Sequence, residues 1–163
     1  MNDLHKRLYG ICLVLMALTC LFAYGNFRTI SPDKEKTMLL RQKIHQEATL
    51  NLDDEIQGDW DSVLLIGGYT SKREVKKATH VNIKWLRPYH AQRTEENILV
   101  FCKGKKPISY VRLSHIGASF RQDTESKKSF AEKLPRNKAV FHISQTEDKY
   151  LHLPHYVLHP VSS

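Results

Sequence analysis

Three histidines close to the C-terminus, His152, His155 and His159, follow one another at spacings of three and four. On a helix that spacing lines three imidazoles along one face, and neutral imidazole is a common ligand for zinc. The residues between them argue against the helix. Pro154 and Pro160 lack the amide proton a helix interior needs, and their rings clash with the preceding turn. In a strand, side chains alternate, so His152 and His155 face opposite ways. These histidines are weak metal candidates, and the sequence assigns no metal and no cofactor.

Other residues with chemical potential are weaker still. Asp59 and Asp61 flank Trp60 and share a face if the strand is regular there, which is the minimum for paired acid and base work, but no partner for them is evident. Ser119 sits in Ile116-Gly117-Ala118-Ser119-Phe120, which lacks the second glycine of a nucleophile elbow. Gly67-Gly68 follows an apolar run, where a phosphate-binding turn would lie, without the further glycines or the lysine such a turn requires. Cys102 closes the run Ile98-Leu99-Val100-Phe101 and reads as a small core residue. Nothing marks an enzyme. A hydrolase would require the fold to gather His142, His152 and His155 with Asp59 or Asp61 in one cleft.

What the composition does offer is positive charge: 25 Lys and Arg against 17 Asp and Glu, a net +8. Without Asp3, Lys6 and Arg7 these totals become 23 and 16, so residues 26–163 still carry +7. The charge gathers in Lys72, Arg73, Lys76 and Lys77, in Lys103, Lys105 and Lys106, and from Lys127 to Lys138. Lys72, Arg73, Lys76, Lys77, Lys105 and Lys106 are the candidate binding residues, suited to anionic lipid, a cell-wall polymer or an acidic protein. The competing account is a solvated, lysine-rich surface. Nucleic acid is excluded as a partner, because no recognised motif for it is present and the domain is expected outside the cytoplasm.

That location rests on residues 1–25. Lys6 and Arg7 precede Leu8 to Gly25, eighteen residues without a charge. At ~1.5 Å per residue a helix of this length reaches roughly 27 Å, near the ~30 Å of a bilayer's hydrocarbon. The sequence therefore predicts a single-pass signal anchor with a cytoplasmic N-terminus and an extracytoplasmic domain, in the periplasm or at the cell surface. Ala23-Tyr24-Gly25 also suits cleavage before Asn26, which would release a secreted protein. Ala17-Leu18-Thr19 before Cys20 is a poor lipid-attachment sequence. Cys12 and Cys20 lie in the apolar run, so Cys102 has no disulfide partner in the remainder and must be buried to persist in an oxidising compartment.

The elements that would position these residues follow from local signals. Residues 26–58 read as a juxtamembrane helix and linker: Ser31-Pro32-Asp33 starts a helix that Leu40, Ile44 and Ala48 carry to about Thr49, and Asn51 to Asp59 is a polar loop. Residues 59–163 form the domain. Val63 to Ile66 is a strand buried on both faces, Ser71 and Glu74 make a capping box for a helix to about Thr79, and Gly104-Lys105-Lys106-Pro107 joins strands Ile98 to Lys103 and Ile108 to Leu113 in a hairpin. Pro107 confines the second of these to an edge or turn position. A second hairpin runs from Ala139–Ile143 through Gln145–Asp148 to Tyr150–Leu153. The predicted fold is α+β, a small antiparallel sheet with one or two covering helices, preceded by an N-terminal hydrophobic helix. Trp60, Val63, Leu65, Val100, Phe101, Val111 and Phe141 are expected to share one core.

Trp60-Asp61-Ser62-Val63-Leu64-Leu65-Ile66-Gly67-Gly68-Tyr69-Thr70, a capped helix, and then Asn97-Ile98-Leu99-Val100-Phe101 resemble a loose group of uncharacterised bacterial exported proteins. Members read Trp-Asp, an apolar strand, Pro-Tyr-Thr, a short helix and a Leu-Val-Phe strand; Gly68 stands where they have proline. The resemblance covers about Asp59 to Ile143 and implies an exported or anchored domain without implying an activity. Together these readings predict a cell-envelope protein acting as a non-enzymatic binding or accessory domain, with an envelope hydrolase as the alternative.

Overall fold

The computed structural model describes residues 3–26, 30–84, 86, 97–120, 130–147 and 153–161. In chain order the elements are α1 (Asp3–Asn26), α2 (Lys34–Gln46), β1 (Thr49–Asn51), α3 (Leu52–Glu55), β2 (Ser62–Ile66) and α4 (Lys72–Thr79). There follow β3 (Ile98–Lys103), β4 (Lys106–Arg112), β5 (Ala118–Phe120), β6 (Ala131–Pro135), β7 (Val140–Glu147) and β8 (Pro154–Pro160), with 3₁₀ turns at Leu113–Ile116 and Arg136–Lys138. The strands form two four-stranded sheets, ordered β4-β3-β2-β6 and β1-β7-β8-β5. Every pair is antiparallel except β5 with β8. The fold is α+β, with its strands divided between two sheets.

The first sheet is buried on both sides because β2 and β3 are apolar at nearly every position. Val63, Leu65, Leu99, Phe101 and Val111 point to one side and meet Leu50, Phe120, Phe141 and Leu158 of the second sheet, with Leu40 and Ile44 of α2 completing the cluster. Leu64, Ile66, Ile98, Val100, Cys102 and Tyr110 point to the other side, where Val75 of α4 and the segment carrying Val81, Ile83 and Leu86 cover them. Val100 thus belongs to a different cluster from Phe101, which corrects the expectation of one shared core: neighbours on a strand alternate faces, and here both faces are covered. Trp60 packs edge-on to Phe101 at 5.3 Å, and its ring nitrogen donates to the Ile56 carbonyl at 2.8 Å.

Local signals predicted several elements to within a residue or two. Ser71 and Glu74 satisfy each other's amides at 3.3 and 2.7 Å, and α4 ends at Thr79. The β3–β4 hairpin turns at Gly104, with Pro107 on an edge strand. In α2, however, the cap is Asp33, whose carboxylate accepts from the Lys36 amide at 3.0 Å, rather than Ser31. Pro32 is engaged in a parallel bridge to Tyr110, and the Asp33 amide donates to the Tyr110 carbonyl at 2.8 Å, so the helix starts after this edge pairing. The expected loop at Asn51–Asp59 instead contains the end of β1 and the single turn α3, recruited by β7 through the register Leu50 to Phe141. In the second hairpin the returning strand is Pro154–Pro160; residues 148 and 150–152 of the predicted turn and strand lie outside the described residues.

The N-terminal helix requires a correction of another kind. Among the described residues, no helix is long and apolar enough to cross a membrane. The 24 residues of α1 include Asp3, Lys6, Arg7 and Asn26. The single-pass anchor, the membrane as a partner through this helix, and the membrane and extracytoplasmic location built on it are therefore not supported.

Phe101 is fully buried between the sheets. Its truncation to alanine should lower the unfolding free energy by about 3–5 kcal/mol in chemical denaturation; an unchanged midpoint would show that β3 does not occupy the centre of this core.

Candidate functional site

The basic residues of α4 are displayed by the way the helix is seated. Val75 and Thr79 are buried against the first sheet, while Lys72, Arg73, Lys76 and Lys77 are exposed. At about 100° per residue these four cations occupy one continuous arc of the helix surface. The spacing of four places Lys72 beside Lys76 and Arg73 beside Lys77, a like-charge arrangement that weakens a helix by a few tenths of a kcal/mol per pair. Both ends of the helix hold non-glycine residues in the left-handed region: Tyr69 in the preceding turn, at φ 62°, and His80 at the C-cap, at φ 57°. For a bulky residue such a conformation is strained, and it persists only where surrounding contacts impose it. Around Tyr69 the constraint comes from Thr70, whose hydroxyl lies 2.8 Å from the Gly67 carbonyl and accepts the Phe130 amide at 3.0 Å. Tyr69 itself is 38 % exposed.

Lys105 and Lys106 are exposed at the β3–β4 turn. That turn lies beside the start of β2, since Ser62 pairs with Cys102, whereas α4 follows the other end of β2 after Ile66. Lys103 is committed to an ion pair with Asp59, which raises its pKa. Asp61 accepts the Gly104 amide at 2.6 Å and the Ser62 hydroxyl at 2.8 Å, and these two bonds, the amide first, hold its pKa below the ordinary carboxylate value. The two acids considered for catalysis thus anchor the hairpin to the strand beside it.

Arg136, which its sequence context does not single out, closes this end of the molecule. Its guanidinium pairs with Asp53, donates to the Gly58 and Trp60 carbonyls at 2.9 and 3.2 Å, and lies 4.6 Å from the centre of the Trp60 ring. Its neighbours are 76 to 83 residues away along the chain, so no local pattern could reveal it.

The histidines are elsewhere. On β7 and β8 the residues Phe141, Ile143 and Leu158 face the core, so His142, His155 and His159 project from the opposite face of the second sheet. His155 Nε2 lies 2.8 Å from Ser119 Oγ, and His159 Nε2 lies 2.8 Å from Ser144 Oγ. His152 lies outside the described residues. The prolines that exclude a helix fit a strand here because Pro154 and Pro160 flank Tyr156–Leu158, the part of β8 that pairs with β5. Since the second sheet's other face packs on the first sheet, His142 and His155 point away from Asp59 and Asp61. The cleft that a hydrolase requires is not formed by these residues. Burial pushes the Cys102 thiol up to about 12, far from a reactive thiolate. Among the described residues, no group of three or more His, Cys, Asp or Glu side chains converges on a metal position.

No family model matches the chain, and no curated protein and no solved structure matches it.

Because the folded Asp61 pKa is lowered, its contribution to stability is present above the unfolded value of about 3.9 and is lost as pH falls through the folded value. Asp61→Asn should therefore be less stable than the parent at neutral pH, with the gap narrowing towards about pH 3. Urea midpoints across that range test this. Arg136→Ala should cost about 1–3 kcal/mol in the same assay, from the lost charge-assisted hydrogen bonds and the uncovered Trp60 ring.

Proposed function

We propose that this protein is a non-catalytic binding module that engages an acidic protein partner through the arc Lys72, Arg73, Lys76 and Lys77. The observation that carries the reading is the seating of α4, which is fixed by Val75 and Thr79 and turns four cations of one short helix to solvent. Such an arrangement is unfavourable for the isolated helix and becomes favourable when carboxylates from a partner lie against it. Tyr69, exposed and strained at the N-terminal side of the same helix, supplies an aromatic contact of the kind enriched at interfaces. Lys105 and Lys106 extend the positive field from the other end of β2 and serve attraction more than contact.

Two observations weigh against catalysis as the alternative. Asp59 and Asp61 are used by the hairpin, and His142 and His155 project from a different sheet. Among the described residues His155 contacts a serine hydroxyl and no carboxylate orients its ring, unlike the base of a nucleophilic triad.

The test uses a polyglutamate peptide as the acidic probe. Binding should weaken steeply with added salt, because exposed charges are screened beyond about 8 Å at physiological ionic strength. Reversal of Lys72, Arg73, Lys76 and Lys77 to glutamate should abolish binding while leaving the circular dichroism spectrum and melting temperature near those of the parent. Reversal of Lys105 and Lys106 should have the smaller effect, chiefly on the association rate. Salt-insensitive binding that survives the fourfold reversal would return these lysines to the role of a solvated surface.

A further inference from the structure

The first sheet ends at β6, whose one strand partner among the described residues is β2. Ala131 of β6 packs against the same cluster as Val75, so α4 and its basic arc stand beside this edge. We propose that the acidic partner binds as an extended segment along the outer edge of β6, adding a fifth, antiparallel strand to the sheet with its carboxylates on the α4 side. The inference rests on the basic-arc reading and specifies how that partner is held.

The ladder decides which backbone groups face outward. The Arg136 amide donates to the Asp61 carbonyl and the Gly67 amide to the Phe130 carbonyl, each at 2.8 Å, and the register between them is unbroken. Bonding to β2 therefore recurs at every second residue, at Phe130, Glu132, Leu134 and Arg136. The amides and carbonyls of Ala131 and Lys133, and the carbonyl of Pro135, are directed away from β2. Pro135, which has no amide proton, thus occupies a position where the existing sheet loses no bond. Glu132, Lys133 and Pro135 are exposed, whereas every residue of β2 beside them is buried. A row of outward backbone groups on an exposed edge is a template for a further strand.

Charge selects the occupant. Lys133 is opposite Leu64 and shares its face, the one that Val75 of α4 covers. Leu134 is opposite Val63 and takes the other face. Side chains of an added strand alternate in the same way, and residues directly opposite one another share a face. Acidic residues opposite Ala131 and Lys133 therefore lie on the side of Lys133 and the arc, with apolar residues between them on the side of Leu134. A second copy of the chain fits poorly. The twofold antiparallel pairing that uses all of β6 sets Lys133 opposite Lys133 and Ala131 opposite Pro135, which gives a like-charge pair and a missing donor. The edge is guarded against itself and open to a segment in which acidic and apolar residues alternate.

A peptide of about eight residues alternating glutamate and valine, long enough to span a strand, tests the assignment on the full chain. Its glutamates exchange backbone bonds with Ala131 and Lys133, so N-methylation of the glutamates should weaken binding at least tenfold, while N-methylation of the valines should not. Hydrogen-exchange NMR of the parent protein should show the Ala131 and Lys133 amides slowed at least tenfold by the unmodified peptide, and that of Glu132, already bonded to β2, little changed. Lys133→Pro should bind at least tenfold more weakly than Lys133→Gln, because both lose the ammonium and only proline lacks the outward amide; circular dichroism establishes that each is folded. Equal binding of the two N-methylated peptides, with the Ala131 and Lys133 amides unprotected, would overturn the strand addition. Polyglutamate binding that still depends on the α4 cations would then leave the basic arc standing, and its absence would remove both.

Discussion

Everything in this fold answers to one constraint, the apolar character of both faces of the β2–β3 ribbon. A strand pair with Val63, Leu65, Leu99 and Phe101 on one side and Leu64, Ile66, Ile98 and Val100 on the other cannot leave either side in water. One face is closed by the second sheet together with α2, the other by α4 and the segment that follows it. The second sheet is held in place by Phe141 and Leu158, which share a buried cluster with Phe101; α4 is held by Val75, which joins the cluster on the other face with Val100. The outward surfaces of those covering layers are what remains for function.

That division explains why the two surfaces of interest are chemically distinct. The outer side of α4 is cationic, since a short helix anchored by Val75 and Thr79 can display basic residues around the rest of its circumference. The outer side of the second sheet carries imidazole and hydroxyl groups, because alternation along β7 and β8 sends every second residue away from the core. The two surfaces belong to different covering layers, separated by the first sheet.

The polar end of the ribbon is organised by long-range contacts. Asp61 holds the Gly104 turn, Lys133 donates to the Gly104 carbonyl at 2.9 Å, and Arg136 joins the Asp53 turn to Trp60. Residues that read as an acid pair and as part of a basic cluster are thereby consumed in fastening hairpin, strand and 3₁₀ turn together. Their charges stabilise a junction at the end of the ribbon opposite α4.

Patterns a few residues long were legible in the sequence wherever the physics is local. The Ser71–Glu74 capping box, the β3–β4 hairpin with Pro107 at an edge, the doubly buried run in β2 and the exposed basic pairs of α4 all depend on neighbours within about one helical turn or one hairpin. Burial of Cys102 followed from its apolar strand in the same way. Tertiary structure decided the rest, because the deciding contacts join distant segments. It placed Val100 and Phe101 on different sides of the sheet, moved the start of α2 to Asp33 by pairing Pro32 with Tyr110, turned the presumed loop at Asn51 into a strand beside β7, and set His159 opposite His142 across the β7–β8 ladder. A histidine's spacing along the chain is fixed by covalent geometry, but which imidazole stands across from it is fixed by strand register, and register depends on which faces the core must cover.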